Sequence, residues 1–527
     1  MRRRFAPYRE PFSWAHVLLA LVAGAAQALS IAAPWNGQPQ GWLQWLSLAV
    51  LAGLLPRQAT AWRAALLGGV FATAWLAGTW WWLFISMHVY GGLAAPLAVI
   101  AVLLLAAALS LYYALASALA WWLGRGAGAW GACVFGAAWL LAELMRGVWF
   151  TGFPWGAGGY AHVQGPLAAL APWVGVYGIG FVAAVAAGLL AELARAATDH
   201  AARGQPAALL RLGLAWGAAG ALVGVAYVLP AGDSAPTGEP LSVALLQGNI
   251  PQDEKFQSGS GIPQALQGYA RALRESTASL TVAPETAIPL LPGQLPAGYL
   301  EDLATHLGRQ QQAALVGIPL GSFDAGYTNS VIGLGLAGAP YRYDKHHLVP
   351  FGEFIPPLFR WFTDLMQIPL GDFNRGRVDQ ASFEWRDQRL APNVCYEDLF
   401  GEELARRFAD PAQAPTILVN LSNIAWFGNT LAIDQHLQIS RMRALELRRP
   451  MIRATNTGAT ALIDAAGGVR ELLPRHTRGV LQGQVQGHAG RTPYARWASA
   501  WGLAPAWAFG IVIVLVAIAL ERARQRV

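Results

Sequence analysis

The chain has 527 residues, of which 55% are hydrophobic and 13% are charged, whereas ordinary soluble domains are about 25% charged. This composition excludes a wholly soluble protein, and the 23 tryptophans suit the aromatic belts found at membrane boundaries. The net charge of +7 does not indicate nucleic-acid binding, because the arginines cluster at the ends of apolar segments. Two cysteines, Cys133 and Cys395, cannot form a disulfide framework. The chain therefore combines a membrane part with a globular part.

Eight apolar segments are long enough to be membrane-spanning helices, since a bilayer requires about 20 residues. The predicted spans are 14–33, 42–56, 64–86, 93–123, 128–147, 172–194, 210–229 and 503–520. The basic start of the chain resembles a signal peptide, but the first apolar segment is long enough to span and further spans follow it. We predict an α-helical membrane bundle with seven spans in a domain at 1–233, and an eighth span with a cytoplasmic tail at 500–527.

The arginines of the connecting segments predict the orientation. They lie in alternate loops, at 2–9, 57–63, 125, 195–211 and 522–526, while the other loops carry little beyond Arg146. The positive-inside rule then places both termini in the cytoplasm. Seven spans precede residue 240, so the globular domain at 240–490 is predicted to face the periplasm, and the protein to lie in a bacterial inner membrane.

The connection between the fifth and sixth spans is rich in glycine, proline and aromatic residues. It is predicted to be a re-entrant or interfacial element, or a long interfacial loop anchored by Trp149 and Trp155. Glu143 and Arg146 lie one helical turn apart at this boundary, which favours an interfacial ion pair.

Short strands and amphipathic helices alternate from residue 241 onward, which predicts a layered α/β domain of about 250 residues. The strand candidates are 241–247, 280–283, 313–318, 330–336, 341–343, 389–394, 416–421, 451–455, 459–464 and 480–485. The helix candidates are 263–278, 296–312, 400–409 and 430–447.

Three polar residues stand at strand ends in this domain: Glu285, Lys345 and Cys395. A carboxylate that moves protons, an ammonium that stabilises an oxyanion and a thiol that holds an acyl group are what thiol-based acyl transfer needs. Cys395 precedes a predicted helix over 397–407, whose first amides and dipole favour a thiolate. Taken singly, a glutamate or lysine is usually a solvated surface charge, and a free cysteine is usually a buried small hydrophobe.

Three segments together resemble the carbon–nitrogen hydrolase (nitrilase) superfamily: Pro284-Glu285, Tyr343-Asp-Lys-His-His-Leu-Val-Pro-Phe-Gly-Glu353 and Cys395-Tyr-Glu397. With its spans, the whole chain resembles a membrane-embedded family within it, the apolipoprotein N-acyltransferases. Further matching segments are Gln247–Gln252, His347–Glu353, Ala425–Gly428, Arg441–Glu446 and Arg453–Gly458. The resemblance implies a nitrilase-like αββα sandwich that carries a Glu–Lys–Cys triad.

The resemblance assigns roles to four residues. Glu285 is expected to be the general base, Lys345 the cation that stabilises the oxyanion, and Cys395 the nucleophile. Glu353 is expected to be an additional carboxylate that positions Lys345 or the attacking amine.

The resemblance also implies supporting residues. The main-chain amide of Tyr396 is expected to complete the oxyanion hole, with Tyr396 and Glu397 shaping the pocket. Phe256 stands where relatives carry a tryptophan near the lipid, and is expected to keep an apolar contact. Trp426 lies in an apolar loop that, with the segment 351–362, is expected to form either a lid facing the lipid or an ordinary packed interface with the membrane part. Ile424 stands where an aspartate is expected.

The implied reaction is acyl transfer. A phospholipid, typically phosphatidylethanolamine, would give its sn-1 acyl chain to the cysteine, and the N-terminal amine of an S-diacylglyceryl-cysteine apolipoprotein would receive it. This chemistry needs no cofactor and no metal. The expected partners are these two substrates and the membrane, without nucleic acid, and the protein is expected to be a monomer.

Two other functions fit parts of the pattern. A membrane-tethered nitrilase or amidase that hydrolyses a small C–N substrate would use the same triad. A transporter with a binding domain would need several ionisable residues deep in its spans, and His16, His88 and Glu143 are too few and too close to span ends.

Overall fold

The chain forms two units, each assembled from separate parts of the sequence. The computed structural model describes residues 13–203, 206–335, 340–355 and 373–526. One unit comprises the residues up to Trp81, 99–230 and the residues from Leu503 onward, and the other comprises 82–98 and 231–502. Residues 356–362 of the predicted lid, and the basic residues before Ser13, lie outside the described residues.

The first unit is helical. Its helices are Trp14–Ala28, Gly41–Leu54, Ala61–Trp80, Ala95–Gly124, Ala129–Val148, Ala171–Arg203, Pro206–Val228 and Ala504–Arg526. Within the described ranges, four stretches are long and apolar enough to cross a membrane, namely Ala95–Gly124, Ala129–Thr151, Pro166–Thr198 and Ala504–Arg526. A fifth is added if the bent pair Ala61–Trp80 and Leu83–Tyr90 counts as one span.

The prediction of eight spans is therefore not confirmed. The first helix shows why, since Trp14–Ala28 has only 15 residues. At about 1.5 Å per residue it is shorter than the roughly 30 Å hydrocarbon core of a bilayer. Hydropathy marked the apolar segment but did not show where the helix would end.

The connection between the fifth and sixth predicted spans is folded into the helical unit. It consists of three 3₁₀ turns, Trp149–Thr151, Gly158–His162 and Pro166–Leu170. Trp155 is buried, whereas Trp149 is half exposed. The predicted anchoring role at an interface thus suits Trp149 and not Trp155.

Two fully buried charged residues hold this connection. Arg146 donates hydrogen bonds to the carbonyls of Phe153 at 2.6 Å and Trp155 at 2.9 Å. Glu143 accepts one from the amide of Gly158 at 2.8 Å. The predicted interfacial ion pair is wrong, because both side chains are buried and each satisfies main-chain groups that water cannot reach.

The second unit contains two six-stranded sheets and a two-stranded ribbon. The strands are β1 Ala235–Pro236, β2 Leu241–Gln247, β3 Leu280–Ala283, β4 Ala313–Ser322, β5 Gly326–Leu334, β6 Tyr341–Asp344, β7 Phe383–Trp385, β8 Gln388–Val394, β9 Ile417–Ser422, β10 Met451–Thr455, β11 Ala461–Ile463, β12 Val469–Leu472, β13 Gly479–Val485 and β14 His488–Ala489. The sheet orders are β13-β2-β3-β4-β5-β6 and β12-β11-β10-β9-β8-β7, and β1 pairs with β14. All ten strand candidates overlap observed strands.

The two sheets face each other across one apolar core, to which strands of both contribute. A second apolar cluster lies between the first sheet and the helices Gly261–Glu275 and Tyr299–Arg309. On the second sheet, Ile452 belongs to the core, whereas the neighbouring Arg453 contacts the helix Leu431–Leu447 on the opposite face, as the alternation of side chains along a strand requires. The layers therefore follow the predicted αββα order.

Strand direction brings the chemically interesting residues to one edge. In the first sheet β2, β3 and β4 are parallel, and β6 has the same direction because two antiparallel pairings separate it from β4. In the second sheet β8, β9 and β10 are parallel. In sheets of this kind, ligands bind at the carboxyl ends of the strands.

The predicted helix after Cys395 is wrong in form. The segment consists of a 3₁₀ turn Cys395–Leu399, a short helix Gly401–Ala405 and another 3₁₀ turn Arg406–Phe408. The Glu397 carboxylate turns back to accept hydrogen bonds from the amide of Val394 at 2.6 Å and from the Tyr343 hydroxyl at 2.8 Å. No long helix dipole is therefore directed at the cysteine.

The segment 82–98, which follows a long apolar helix, belongs to the second unit. The Trp82 indole donates to Gln435 Oε1 at 3.0 Å, and its ring lies 4.2 Å from that of Phe427. Trp82 is almost fully buried. A piece of chain from the membrane part of the sequence is thus packed into the α/β unit.

Gly317 allows the turn after β3 to pass close to β4. A Cβ at this position would lie 2.4 Å from the Pro284 carbonyl oxygen and 2.6 Å from the Thr286 amide. We expect Gly317→Ala to lower stability by about 1–3 kcal/mol, because the backbone must shift. Gly268→Ala is the matched control, since a Cβ there meets open space on a helix. Thermal unfolding followed by tryptophan fluorescence measures both, and equal unfolding temperatures would contradict the prediction.

Candidate active site

Cys395 stands at the end of β8 in a left-handed conformation, with φ +52°. This conformation is unfavourable for a residue with a side chain, so surrounding contacts must hold it. The Cys395 carbonyl oxygen accepts hydrogen bonds from Asn420 Nδ2 and from His436 Nε2, each at 3.2 Å. These two hydrogen bonds therefore hold the backbone of Cys395 in place.

The side chains that contact the Cys395 carbonyl belong to a fully buried hydrogen-bond network. His436 Nε2 lies 2.8 Å from Asp398 Oδ1, and Ser440 donates to Asp398 Oδ2 at 2.5 Å. Arg453 lies 2.8 Å from His436 Nδ1. A guanidinium only donates hydrogen bonds, so Nδ1 is the acceptor and the imidazole is neutral with its proton on Nε2. This tautomer is the one that can donate to the Cys395 carbonyl.

Glu285 follows β3 and is buried. Its Oε1 accepts a hydrogen bond from Asn329 Nδ2 at 2.7 Å, and its Oε2 accepts one from the Asn423 amide at 2.8 Å. Asn423 follows β9 in the second sheet, so the carboxylate joins the two sheets at their common edge.

Lys345 follows β6 and is 1% exposed. Its Nζ lies 2.9 Å from the Glu353 carboxylate and 3.4 Å from Glu285 Oε1. Asn329 donates from the same Nδ2 to both carboxylates, at 2.7 Å each. Sequence reasoning missed Asn329, because it lies inside a strand between other small polar residues and no motif marks it.

Charge and burial set the protonation of this cluster. Burial alone would raise the pKa of Glu285, but Lys345, Lys255 and the hydrogen bonds outweigh it and lower the pKa. Burial alone would lower the pKa of Lys345, but the negative charges of Glu353 and Glu285 outweigh burial and raise the pKa above its ordinary value. The carboxylate and the ammonium are therefore both charged at neutral pH.

The thiol behaves differently. Burial, with the negative charge of Glu285, raises the pKa of Cys395 to about 12, although Lys345 and a hydrogen bond with Ser422 oppose the shift. The prediction that this position favours a thiolate is therefore wrong for the resting site. The sulfur therefore keeps its proton in the resting site, where the charge of Glu285 and, more weakly, that of Glu353 raise its pKa.

Tyr396 and Glu397 are buried beside the cysteine. Glu397 Oε1 accepts hydrogen bonds from the amides of His346 at 2.6 Å and His347 at 3.2 Å, so it ties the segment after Lys345 to the cysteine turn. The Tyr396 ring lies 5.7 Å from His347. In this geometry Glu397 shapes the site by holding the main chain.

The remaining residues singled out in the sequence, Phe256, Trp426 and Ile424, differ in exposure. Phe256 is 38% exposed, and its ring centre is 6.0 Å from Lys255 Nζ. Trp426 is half-buried and packs edge-on against Tyr90 at 5.9 Å. Ile424 is fully buried, which explains an apolar residue at that position.

Lys255 is a second ammonium at this site that sequence reasoning missed. It is 2% exposed, and its Nζ donates to the Glu285 carbonyl at 3.0 Å. Counting would have found it, because Lys255 and Lys345 are the two lysines of the whole chain. Among the residues described by the structure, no group of three or more His, Cys, Asp or Glu side chains could hold a metal ion.

Comparison with known proteins decides the family. Residues 15–189 match the family described as apolipoprotein N-acyltransferase N-terminal domain, and residues 242–494 match carbon-nitrogen hydrolase. Apolipoprotein N-acyltransferase of Verminephrobacter eiseniae is 63% identical over 92% of each chain, and that of Ralstonia nicotianae is 48% identical over 91% of this chain and 90% of the relative. The chain belongs to the apolipoprotein N-acyltransferase family. The expected resemblance is thereby confirmed, as is the carbon-nitrogen hydrolase domain.

A solved carbon-nitrogen hydrolase from Helicobacter pylori G27 is 15% identical, with a TM-score of 0.36 over 47% of this chain and 90% of that chain. This similarity is too low to add to the argument. The family assignment depends on the two full-length relatives, which match the N-acyltransferase part as well as the hydrolase part.

The raised pKa of Cys395 predicts slow alkylation at neutral pH. In Cys133→Ala protein, the rate with iodoacetamide should rise about tenfold per pH unit between pH 6 and 8, because the thiolate fraction does so below the pKa. A plateau between pH 6 and 8 would contradict the prediction. Glu285→Gln should speed alkylation several-fold at a given pH, because a neighbouring negative charge is removed. Glu384→Gln, which changes an exposed carboxylate, should leave the rate unchanged.

Proposed function

We propose that the protein transfers a fatty acyl chain from a membrane phospholipid to the N-terminal amine of an S-diacylglyceryl-cysteine apolipoprotein. The family membership supports N-acyl transfer to apolipoprotein. The observation that carries the chemistry is the buried cluster in which Lys345 lies between Glu285 and Glu353 while Cys395 lies within electrostatic reach of all three.

In the first step Glu285 takes the thiol proton and the Cys395 sulfur attacks the ester carbonyl of the phospholipid. The oxyanion of the tetrahedral intermediate is stabilised by the Lys345 ammonium and the Tyr396 amide. The carbon–oxygen bond of the ester then breaks, and Glu285 returns its proton to the departing lysophospholipid oxygen. A thioester on Cys395 remains.

In the second step the apolipoprotein amine attacks the thioester. Glu285 accepts the proton that the amine loses, the carbon–sulfur bond breaks and the thiolate recovers the proton. An amide replaces a thioester, which is downhill, so neither ATP nor a metal is required. Glu353 holds Lys345 in place in both steps, and one site serving both substrates predicts ping-pong kinetics.

We also propose the donor lipid, the oligomeric state and the membrane topology. The donor is phosphatidylethanolamine, cleaved at its sn-1 ester, and the enzyme acts as a monomer. The chain crosses a bacterial inner membrane eight times, with a membrane domain at 1–233, a periplasmic catalytic domain at 240–490, an eighth span at 500–527 and both termini in the cytoplasm. Phe256 and Trp426 contribute apolar surface for the acyl chain. A tethered amidase is not favoured, because the relatives match both parts of the chain.

Intact-protein mass tests the thioester. After incubation of the detergent-solubilised protein with phosphatidylethanolamine, we expect one added acyl mass that hydroxylamine removes, because thioesters are cleaved by this nucleophile. Cys133→Ala should acquire the same mass and Cys395→Ala should not. A wild-type protein that never gains the mass, or a Cys395→Ala protein that does, would contradict the mechanism.

Cysteine labelling tests the orientation. In Cys133→Ala protein, Phe323→Cys places a thiol at a side chain that is 75% exposed in the α/β unit, and Gln525→Cys places one near the end of the last helix. An impermeant maleimide should label position 323 in intact spheroplasts and position 525 only after permeabilisation. The opposite pattern would place the α/β unit in the cytoplasm.

A further inference from the structure

The use of lysine in this chain is unusual. Lysine and arginine together number 37, of which two are lysine and the other 35 are arginine (37 − 2). The two residues are not interchangeable, because an ammonium is a compact point charge and a guanidinium is a broad plane. A chain that uses arginine nearly everywhere places both of its lysines against Glu285: Lys345 faces the carboxylate, and Lys255 donates to the main-chain carbonyl.

Lys255 is placed by the segment that follows β2. Its amide donates to the Pro251 carbonyl at 3.0 Å, and its side chain extends into the site. The Nζ donates to the main-chain carbonyl of Glu285 at 3.0 Å, and the negative charges of Glu285 and of ionised Cys395 both act on it. Lys255 therefore lies close to both Glu285 and Cys395.

Lys255 adds positive charge where negative charge is in excess. Around Cys395, Glu285 and Glu353 carry two negative charges, and Lys345 supplies one positive charge. A residual negative charge in a buried site would oppose a thiolate or an oxyanion, because unpaired charge is costly away from water. A charged Lys255 offsets this excess.

We propose that Lys255 is the second cation of this active site, a positioning residue that holds the Glu285 main chain and whose charge stabilises the anion formed at Cys395. The inference rests on the proposed acyl transfer. It distinguishes two functions for two lysines: Lys345 pairs with the carboxylates and stabilises the oxyanion, whereas Lys255 offsets the negative charge that appears on the Cys395 sulfur.

Lys255→Gln and Lys255→Met separate charge from tethering, because glutamine keeps a donor for the Glu285 carbonyl while removing the charge. Both are made in Cys133→Ala protein. Arg478→Gln is the control, since Arg478 also donates to a main-chain carbonyl, that of Gly248 at 3.1 Å, but is exposed. Two rates are measured: alkylation of Cys395 by iodoacetamide at pH 8, and thioester formation with phosphatidylethanolamine in a single turnover.

We expect both Lys255 variants to lose at least about tenfold in both rates, as the loss of one charge at short range in a buried site implies, and Arg478→Gln to match the parent. If the parent forms a thioester and Lys255→Gln forms it equally fast, this inference is overturned and the proposed function stands. If the parent forms no thioester, the proposed function fails. The alkylation rates still test Lys255 in that case, and equal rates would overturn the inference.

Should both variants unfold, the parent protein supplies a second measurement. Burial lowers the pKa of Lys255 to about 8, against the opposing effects of Glu285 and Cys395. Its charge is present below this pH and is lost as the pH rises through it, so single-turnover thioester formation should fall above about pH 8. Glu285 and Cys395 are the titratable groups whose charges act on it. Ionisation of Cys395 would have the opposite effect on the rate. The result that would overturn the inference is therefore a pH dependence of the rate with no downward bend near pH 8.

Discussion

The ammonium of Lys345, held between two buried carboxylates, is the constraint on which the site depends. A buried charge is tolerated only when it is paired and hydrogen-bonded, so Glu285 and Glu353 must both approach it, at 3.4 and 2.9 Å. Asn329 then fixes the two carboxylates relative to each other. These contacts require the ends of β3 and β6 to meet at one edge of the sheet, and the Asn423 amide brings in the second sheet.

The conformation and protonation of Cys395 are not set by a helix dipole, as a strand-to-helix turn would suggest. Its left-handed backbone is held by Asn420 and by a neutral His436 that Arg453 and Asp398 keep in one tautomer. Burial keeps the sulfur protonated. In the proposed mechanism, reactivity arises when Glu285 removes the proton, and not from a standing thiolate, which would be exposed to adventitious oxidation.

Site residues could be predicted from the sequence where polar side chains stand at the ends of apolar strands. Glu285, Lys345 and Cys395 were selected on that ground, and the structure brings their side chains together. Asn329 could not be selected, since its role depends on two carboxylates that are distant in sequence. The helix after Cys395 was wrong because local propensity does not show where tertiary hydrogen bonds, such as those of Glu397, will end a helix. The span count was not confirmed because hydropathy marks an apolar segment without showing how much of it is helical, as Trp14–Ala28 illustrates.

The packing of Trp82 into the α/β unit makes that unit discontinuous in sequence. A fragment cut at residue 231 would leave Gln435 without its indole donor and would bare the Phe427 ring. The segment 82–98 is also synthesised well over a hundred residues before the sheets to which it attaches. Trp82 therefore cannot meet Gln435 and Phe427 until the chain beyond residue 435 has been synthesised, so this unit can be completed only late in biogenesis.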